Sequence, residues 1–497
     1  MEKAKVVPKY MLLWSSKDLL IRILLIILLI SYFFLTAYVM FSRLQYPYQL
    51  EWMEGGEVEH IQRLLDGKKI YCEPSMEFIP YIYTPFYYYI GVGLSIFDEP
   101  SLHTMRVISI VSFLLSLFFT YKIVFFVTRN KFWSLIGSGI FLLSYSNTGF
   151  WYDIARVDTT ANLFLIISLY LLVKADNNKW NWFFSSLFSF LAFYTKQTYF
   201  PVTFFLIISL FFKNKKLAWK FSSLYFGLIA LTTLIETMQS NGWYIFWNFY
   251  FPSLHHWIWE RAITFWTIDI LPYYSIALAT IFAYLFIIFH HSSKEKGLLL
   301  YALFIGCFIT SYLSRLHYGG YLNVLIPFVT SMSILFPVSM SSLSKMLGVG
   351  KNIGLICLVF VSVQIFSLLN NPTHSIPTLN DKNAVEKIFS FAKNSGGDIY
   401  LMGYNYVQKQ FGLKSYPHYV LLNDMFISKV QYKDKVIQEL ESMLKAKKFK
   451  GILLDESLNL DLLDKYYQKT NISFYHRVFN SKQSPLRQEV LWVPKTK

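Results

Sequence analysis

The sequence predicts a multi-pass α-helical membrane protein, with about eleven transmembrane helices in residues 1–369 and a small soluble α/β domain in residues 370–497. Of the 497 residues, 54% are hydrophobic and only 15% are charged, whereas a soluble protein carries about 25% charged residues. The apolar residues form long runs, and a run of about 20 such residues can cross the hydrocarbon core of a bilayer. From residue 370 onward the composition becomes polar, which indicates a separate domain.

Eleven apolar runs are candidate membrane spans. The first run follows Lys3, Lys5, Lys9 and Lys17, and because positive charge accumulates on the cytoplasmic side, we expect a cytoplasmic N-terminus. No small-residue cleavage site follows this run, so we interpret it as a retained span and not as a signal peptide. The runs cover residues 19–41, 104–127, 132–150, 159–173, 182–194, 199–212, 221–237, 268–289, 298–313, 321–338 and 353–369.

The loops between these runs predict the orientation of the chain. If successive runs cross the membrane in alternating directions from a cytoplasmic N-terminus, every loop on the inner side contains basic residues, as the positive-inside rule requires. The inner loops contain Arg129 and Lys131, Lys174 and Lys179, Lys213, Lys215 and Lys216, Lys294 and Lys296, and Lys345 and Lys351. This orientation predicts that the C-terminal domain lies outside the cytoplasmic membrane. The same holds for residues 42–103, 151–158, 195–198, 239–267 and 314–320.

The same loops account for most of the net charge of +16, so nucleic acid is not an expected partner, whereas membrane lipids are. Residues 78–97 are also apolar, but Pro80 and Pro85 interrupt them, which favours an interfacial helix within the first outer loop. A span there would put the basic loops on the wrong side.

The C-terminal domain is predicted from alternating helical and strand-like stretches. Residues 383–393 and 433–447 have the pattern of helices, and residues 398–403, 451–455 and 491–494 that of strands.

An acidic stretch in the first outer loop is the main candidate for chemistry. Glu51, Glu54, Glu57 and Glu59 fall within nine positions of an otherwise basic and apolar chain. A carboxylate beside a membrane is poorly solvated, which can raise its pKa into the range of a general base. Gly55 and Gly56 would let the backbone turn before a helix that starts at Glu57 and ends at Gly67. The alternative is that these are ordinary solvated surface acids.

Three further outer segments carry charged residues. Asp158 is a candidate site residue and also a plausible N-cap, and Arg156 could pair with it or with Asp153. Lys196 lies outside against the positive-inside preference, which suggests either an anion to bind or contact with lipid phosphates. Arg315 could grip a phosphate, whereas His317 beside it is more often a hydrogen-bonded structural residue.

Taken in order, these motifs resemble those of the GT-C glycosyltransferases that use polyprenyl-phosphate sugars, such as lipid A aminoarabinose transferases and protein O-mannosyltransferases. The similarity covers roughly residues 20–340. Met53 stands where that family usually has an Asp, so the base would be Glu54 or Glu51, and Gln197 replaces a common Gly. The motifs are Met53-Glu54 with Gly67, the segment Tyr83-Thr-Pro-Phe-Tyr-Tyr-Tyr89, Arg156-Val-Asp158, and Thr195-Lys-Gln197.

The resemblance implies an inverting transferase that moves a sugar from a polyprenyl-phosphate donor to a glycan, lipid or protein acceptor at the outer face. Glu54 would be the base, Asp158 would orient the acceptor, and Lys196 and Arg315 would hold the donor phosphate. The expected substrate-binding residues also include Arg156, Tyr83 and His317.

No nucleotide, dinucleotide or zincin motif is present, and three scattered cysteines form no thiolate metal site. No cofactor is therefore expected, although a divalent metal remains open. Two rival functions also remain open. A transporter or flippase of lipid-linked saccharides would need polar residues along the spans, whose interiors are nearly free of acids except Glu236. A non-catalytic membrane scaffold is the other.

Overall fold

In its described residues the protein is mainly helical, with a four-stranded sheet in the C-terminal part. The computed structural model describes residues 16–175, 180–290, 294–346, 351–404, 409, 411–428, 430, 432–458, 460–479 and 485–495. Lys3, Lys5, Lys9 and Lys179 lie outside the described residues, as do the side chains of Lys294, Lys296 and Lys351.

Each of the eleven predicted apolar runs contains a helix. Between the longer helices lie two π-helical turns, Phe246–Tyr250 and Phe265–Ile270, and two 3-10 turns, Gln197–Tyr199 and Leu322–Leu325. The helices are α1 Ser16–Leu44, α2 Glu54–Leu65, α3 Phe86–Leu94, α4 Leu102–Thr128, α5 Lys131–Leu143, α6 Val157–Val173, α7 Asn181–Thr195, α8 Phe200–Lys213, α9 Lys215–Gln239, α10 Trp243–Ile245, α11 Phe251–Ser253, α12 Arg261–Thr264, α13 Leu271–His290, α14 Lys294–Leu316, α15 Ile326–Met346 and α16 Lys351–Leu368.

Within the described residues, seven helices are long and apolar enough to cross a membrane, as expected for a multi-pass membrane protein. Helices α5, α6, α7 and α8 have only 13 to 17 residues. At 1.5 Å per residue they reach about 20–26 Å, less than the roughly 30 Å of the hydrocarbon core. The predicted count of eleven spans therefore stays a prediction.

Helix α15 lies at the centre of the bundle, because all residues of its apolar membrane-spanning stretch are buried. Close packing around it depends on small residues, as is usual between membrane helices. A Cβ atom at Gly137 of α5 would lie 2.7 Å from the carbonyl oxygen of Ser333 in α15. The bundle therefore surrounds one central helix without leaving room for a larger side chain at this crossing.

The first outer loop differs from the prediction at its helix start. Helix α2 begins at Glu54 and not at Glu57, so Gly55 and Gly56 lie inside it. A Cβ atom at Gly56 would lie only 1.8 Å from the Tyr81 hydroxyl oxygen, so this glycine allows close approach of a neighbouring side chain and does not make a turn. Residues 78–97 contain only the nine-residue helix α3, which is too short to span a membrane, in agreement with the prediction.

The C-terminal part forms a sheet of order β1-β2-β4-β3, with β1 and β2 parallel and the other pairs antiparallel. Strand β3 was not predicted, because its 11 residues are mostly polar and partly exposed at the sheet edge. After a 3-10 turn at Pro372–Ser375, the elements are α17 Leu379–Asn394, β1 Ile399–Leu401, α18 Tyr419–Ile427, α19 Lys433–Lys445, β2 Gly451–Asp455, α20 Asp461–Tyr466, β3 Tyr467–Arg477 and β4 Leu486–Pro494.

The C-terminal domain packs directly on the first outer loop. The Trp52 indole stacks on the His418 ring with centroids 4.7 Å apart, and the backbone N–H of Phe479 donates to the carbonyl of Leu50 over 3.2 Å. Arg43, at the end of α1, is fully buried and donates to the carbonyl oxygens of Ser375 and Phe479. These contacts enclose the acidic stretch between the membrane helices and the domain.

Candidate active site

All five predicted outer segments meet at one cavity of about 510 Å³. Helix α18 of the C-terminal domain also contributes residues to the wall. Charged and polar residues of the wall include Tyr83, Arg156, Lys196, Arg261, His317 and Asp424. The segments that the sequence assigned to one side of the membrane are therefore adjacent in the fold.

Arg156 lies among three buried carboxylates behind the cavity wall. Its guanidinium is 3.6 Å from Glu51, 3.6 Å from Glu57 and 4.0 Å from Asp158. These are ion-pair distances that are too long for hydrogen bonds. The one hydrogen bond from the Arg156 side chain runs from Nη2 to the Tyr83 hydroxyl over 2.8 Å, within the described residues.

Several oxygen atoms of this cluster therefore keep unused hydrogen-bonding capacity. Among the described residues, Glu51 Oε1, Asp158 Oδ2 and both Glu57 carboxylate oxygens accept no hydrogen bond. Burial raises the pKa of Glu51 to about 7 and that of Glu57 to about 8, although Arg156 opposes both shifts. A carboxylate with a raised pKa and a free oxygen is suited to accept a proton near neutral pH.

Asp158 and Lys196 form the second part of the cluster. Lys196 Nζ lies 2.5 Å from Asp158 Oδ1, and Asn323 Nδ2 donates to the same oxygen over 2.9 Å. Asp158 lies in the first turn of α6 but does not cap it, because the N-cap residue is Arg156. Lys196 is buried, so its ammonium group is held by a carboxylate and not by lipid phosphates.

Glu54, the predicted base, has surroundings that do not favour that role. It is 0% exposed and forms a bidentate ion pair with Arg106, with Oε1–Nε 2.9 Å and Oε2–Nη2 2.7 Å. The backbone N–H groups of Leu50 and Ala155 also donate to it, over 2.6 and 2.8 Å. Although burial opposes ionisation, Arg106 outweighs it, and the pKa of Glu54 is lowered. Both oxygens are therefore fully used.

The alternative that the acidic stretch consists of solvated surface acids does not hold for Glu57 and Glu59, because both are buried. Glu57 is buried beside Arg156, and Glu59 pairs with Lys409 and accepts a hydrogen bond from Ser415 in the C-terminal domain.

Arg315 was predicted to hold the donor phosphate, but it does not line the cavity. Its Nε lies 2.7 Å from Asp269 Oδ2, and its Nη1 donates to the carbonyl of Gly320. Arg261 lines the cavity instead, with Nη1 held by the carbonyl oxygens of Arg315, His317 and Gly320. No described carboxylate pairs with Arg261.

Two histidines line the cavity with different surroundings. His317 has Nδ1 2.7 Å from the Tyr318 carbonyl oxygen and Nε2 2.9 Å from that of Pro252, which supports the structural alternative for this residue. His255 is buried, and neither of its ring nitrogens has a hydrogen-bond partner among the described residues.

Sequence reasoning did not single out Arg106, Arg261 or Asp424. Arg261 could have been found by the signal that identified Lys196, because it is a basic residue in a predicted outer segment. Arg106 and Asp424 had no such signal. The described residues include no group of three or more His, Cys, Asp or Glu side chains placed to hold a metal ion.

The sequence matches no protein-family description and no curated protein at a significant level. Solved structures do match the fold. ArnT from Cupriavidus metallidurans in the apo state gives a TM-score of 0.54 at 12% identity, over 93% of this chain and 97% of that one. ArnT from the same organism bound to undecaprenyl phosphate gives 0.52 at 11% identity, over 93% and 97%.

The Archaeoglobus fulgidus oligosaccharyltransferase tethered to an acceptor peptide gives a TM-score of 0.50 at 11% identity, over 97% of this chain and 76% of that one. At such low identity these matches establish architecture alone. The chain thus has the GT-C fold that its motifs resemble, a polytopic helical membrane part followed by a small α/β domain.

Proposed function

We propose that this protein is a membrane glycosyltransferase that transfers a sugar from a polyprenyl-phosphate donor to an acceptor, with inversion at the sugar carbon. The observation that carries the proposal is the convergence of all five outer segments on one cavity, with Arg156 and Lys196 in its wall and three carboxylates behind them. The shared fold supports it, since one structure with that fold holds undecaprenyl phosphate.

The proposed orientation has the N-terminus in the cytoplasm and the C-terminal domain outside the plasma membrane. The basic loops support this orientation. The donor's phosphate would then enter the cavity from the outer leaflet while its polyprenyl chain stays in the bilayer.

Glu51 is the proposed base in place of Glu54. Its Oε1 is free among the described residues, whereas both Glu54 oxygens are occupied by Arg106 and backbone donors. In the reaction, an acceptor hydroxyl or amine loses its proton to Glu51 as its lone pair forms the bond to the sugar C1. The C1–O bond to phosphate breaks, and the polyprenyl phosphate leaves with the electron pair.

Arg156 and Arg261 are the proposed phosphate-binding residues. The charge that develops on the leaving phosphate is stabilised by guanidinium groups already fixed in position. The Arg156–Tyr83 hydrogen bond and the three carbonyl oxygens around Arg261 hold these groups. Lys196 is tied to Asp158, so its proposed role is to position that carboxylate and to add positive charge at the wall.

A divalent metal is not needed in this scheme, because Arg156 supplies the positive charge between the carboxylates.

Radiolabelled polyprenyl-phosphate sugars test the proposal with the purified chain in nanodiscs. We expect label to leave the lipid in the wild type and to stay on it in Glu51→Gln. Consumption of no donor by the wild type would contradict the transferase. Passage of intact donor between leaflets without bond cleavage would support the flippase instead.

A further inference from the structure

The cavity has a second polar region, formed by residues that the proposed chemistry does not use. Asp424 is the one acidic residue among the described residues that line the cavity. It lies on α18 of the C-terminal domain, and its fully buried Oδ1 has no hydrogen-bond partner in the described part of the chain. A buried carboxylate oxygen without a partner is unfavourable unless a ligand supplies a donor.

His255 and Tyr318 complete this region. The Asn423 side chain donates to the Tyr318 hydroxyl over 3.1 Å, which holds the residue next to Asp424 against the membrane part. The ring centroids of Tyr318 and His255 are 6.0 Å apart. His255 has two unpartnered ring nitrogens, and burial lowers its pKa to about 4, so the neutral ring offers one donor and one acceptor.

We propose that Asp424, His255 and Tyr318 form the acceptor subsite and bind a hydroxyl-rich saccharide. Each hydroxyl of a sugar can both donate and accept a hydrogen bond, so adjacent hydroxyls match a carboxylate oxygen that only accepts and an imidazole that does both.

Aromatic residues of the same cavity support a saccharide. Trp52, Trp247, Phe251 and Trp257 line the cavity and offer apolar ring surfaces. An extended peptide would instead need partners for its backbone N–H and C=O groups along its length. The cavity volume of about 510 Å³, shared with the donor's sugar, suits a compact acceptor.

The inference rests on the proposed transferase function, but binding can be measured without turnover. Soluble mono- and oligosaccharides are titrated against the full chain in nanodiscs, and intrinsic tryptophan fluorescence reports binding because four tryptophans line the cavity. We expect at least one saccharide to bind, and Asp424→Ala to weaken its binding about tenfold to a hundredfold, as expected for loss of a hydrogen bond to a charged group. Asp434→Asn, an exposed acid of the same domain, is the control and should bind normally.

Kinetics distinguish binding from base catalysis. Asp424→Ala and Asp424→Asn should raise the acceptor KM more than they change the donor KM. Loss of kcat at an unchanged acceptor KM would overturn the inference, as would saccharide binding that ignores Asp424, the absence of saccharide binding, or transfer only to Ser-, Thr- or Asn-containing peptides. If the chain binds saccharides in a way that depends on Asp424 but consumes no donor, the subsite proposal is supported and the proposed transferase function is contradicted.

Discussion

At the scale of single residues, two neighbouring glutamates have opposite surroundings. Glu54 is saturated with hydrogen bonds and its pKa is lowered, whereas Glu51, three residues earlier, keeps a free oxygen and a pKa raised to about 7. Sequence spacing cannot separate them, because the difference comes from Arg106 and Arg156, which are distant in the chain.

The first prediction concerns these two residues. Glu51→Gln should lower kcat by about 10²–10⁴, the usual effect of removing a general base. Glu54→Gln should mainly lower the stability of the fold, because it leaves the buried charge of Arg106 unpaired. Turnover and thermal midpoint in detergent are measured for both variants. A stable and inactive Glu54→Gln beside an active Glu51→Gln would restore Glu54 as the base.

The second prediction is the pH dependence of turnover. The base must be ionised, and burial raises the pKa of Glu51 to about 7, so kcat should fall as the pH drops through about 7. Glu57→Gln should leave this limb nearly unchanged, because burial raises the pKa of Glu57 to about 8 and this carboxyl group is therefore mostly neutral at pH 7. Initial rates at saturating donor give the profile. A limb that stays near pH 4.5 would point to an ordinary carboxyl group.

The third prediction is that Arg106→Met destabilises the fold by about 3–5 kcal/mol, because Glu54 would be left as an unpaired buried charge. The double variant Arg106→Met/Glu54→Gln should recover part of this loss. Unfolding in detergent measures both variants, and an equal loss in the single and double variants would argue against the ion pair as the cause.

At the scale of elements, Arg261 of α12 occupies the place at the cavity that the sequence predicted for Arg315 of α14. Arg315 pairs with Asp269, and its backbone carbonyl helps to hold Arg261 at the cavity. A substitution at Arg315 therefore acts on the cavity indirectly.

We expect Arg261→Met to weaken the binding of undecaprenyl phosphate, because it removes the guanidinium that lines the cavity. Arg315→Met should weaken it less, and Lys215→Met, at the predicted inner face, should leave it unchanged. Native mass spectrometry of the nanodisc-purified variants measures the bound lipid. Equal retention in all three would leave Arg261 without a role in the donor site.

The sequence predicted elements well where the signal is local. Apolar runs located the eleven helices because hydropathy depends on adjacent residues only. It missed β3, because this strand is mostly polar and lies at the sheet edge. It also placed the start of α2 three residues late, because the reason for Gly56 is contact with the distant Tyr81. It likewise found the acidic stretch but not the arginine partners that decide which acid is free.

At the scale of the whole molecule, the site depends on the common sidedness of segments from both parts of the chain. The cavity requires residues 42–103, 151–158, 195–198, 239–267, 314–320 and helix α18 to lie at the same face.

Cysteine labelling tests this sidedness. On a Cys72→Ser background, we expect a membrane-impermeant maleimide to label Asp434→Cys in intact cells but not Lys215→Cys, because the former lies in the proposed external domain and the latter in a basic inner loop. Permeabilised cells, in which both should react, provide the control. Labelling of position 215 alone would reverse the orientation.

The buried guanidinium of Arg43 has a consequence for synthesis. Its partners are Asp153, the carbonyl oxygen of Phe150 and those of Ser375 and Phe479. Arg43 leaves the ribosome long before Phe479, so a nascent first helix carries a cation whose acceptors do not yet exist. Because buried donors require partners, the end of α1 reaches its final state only after residue 479 has been made, and a chain truncated before Phe479 would lack one acceptor of this guanidinium.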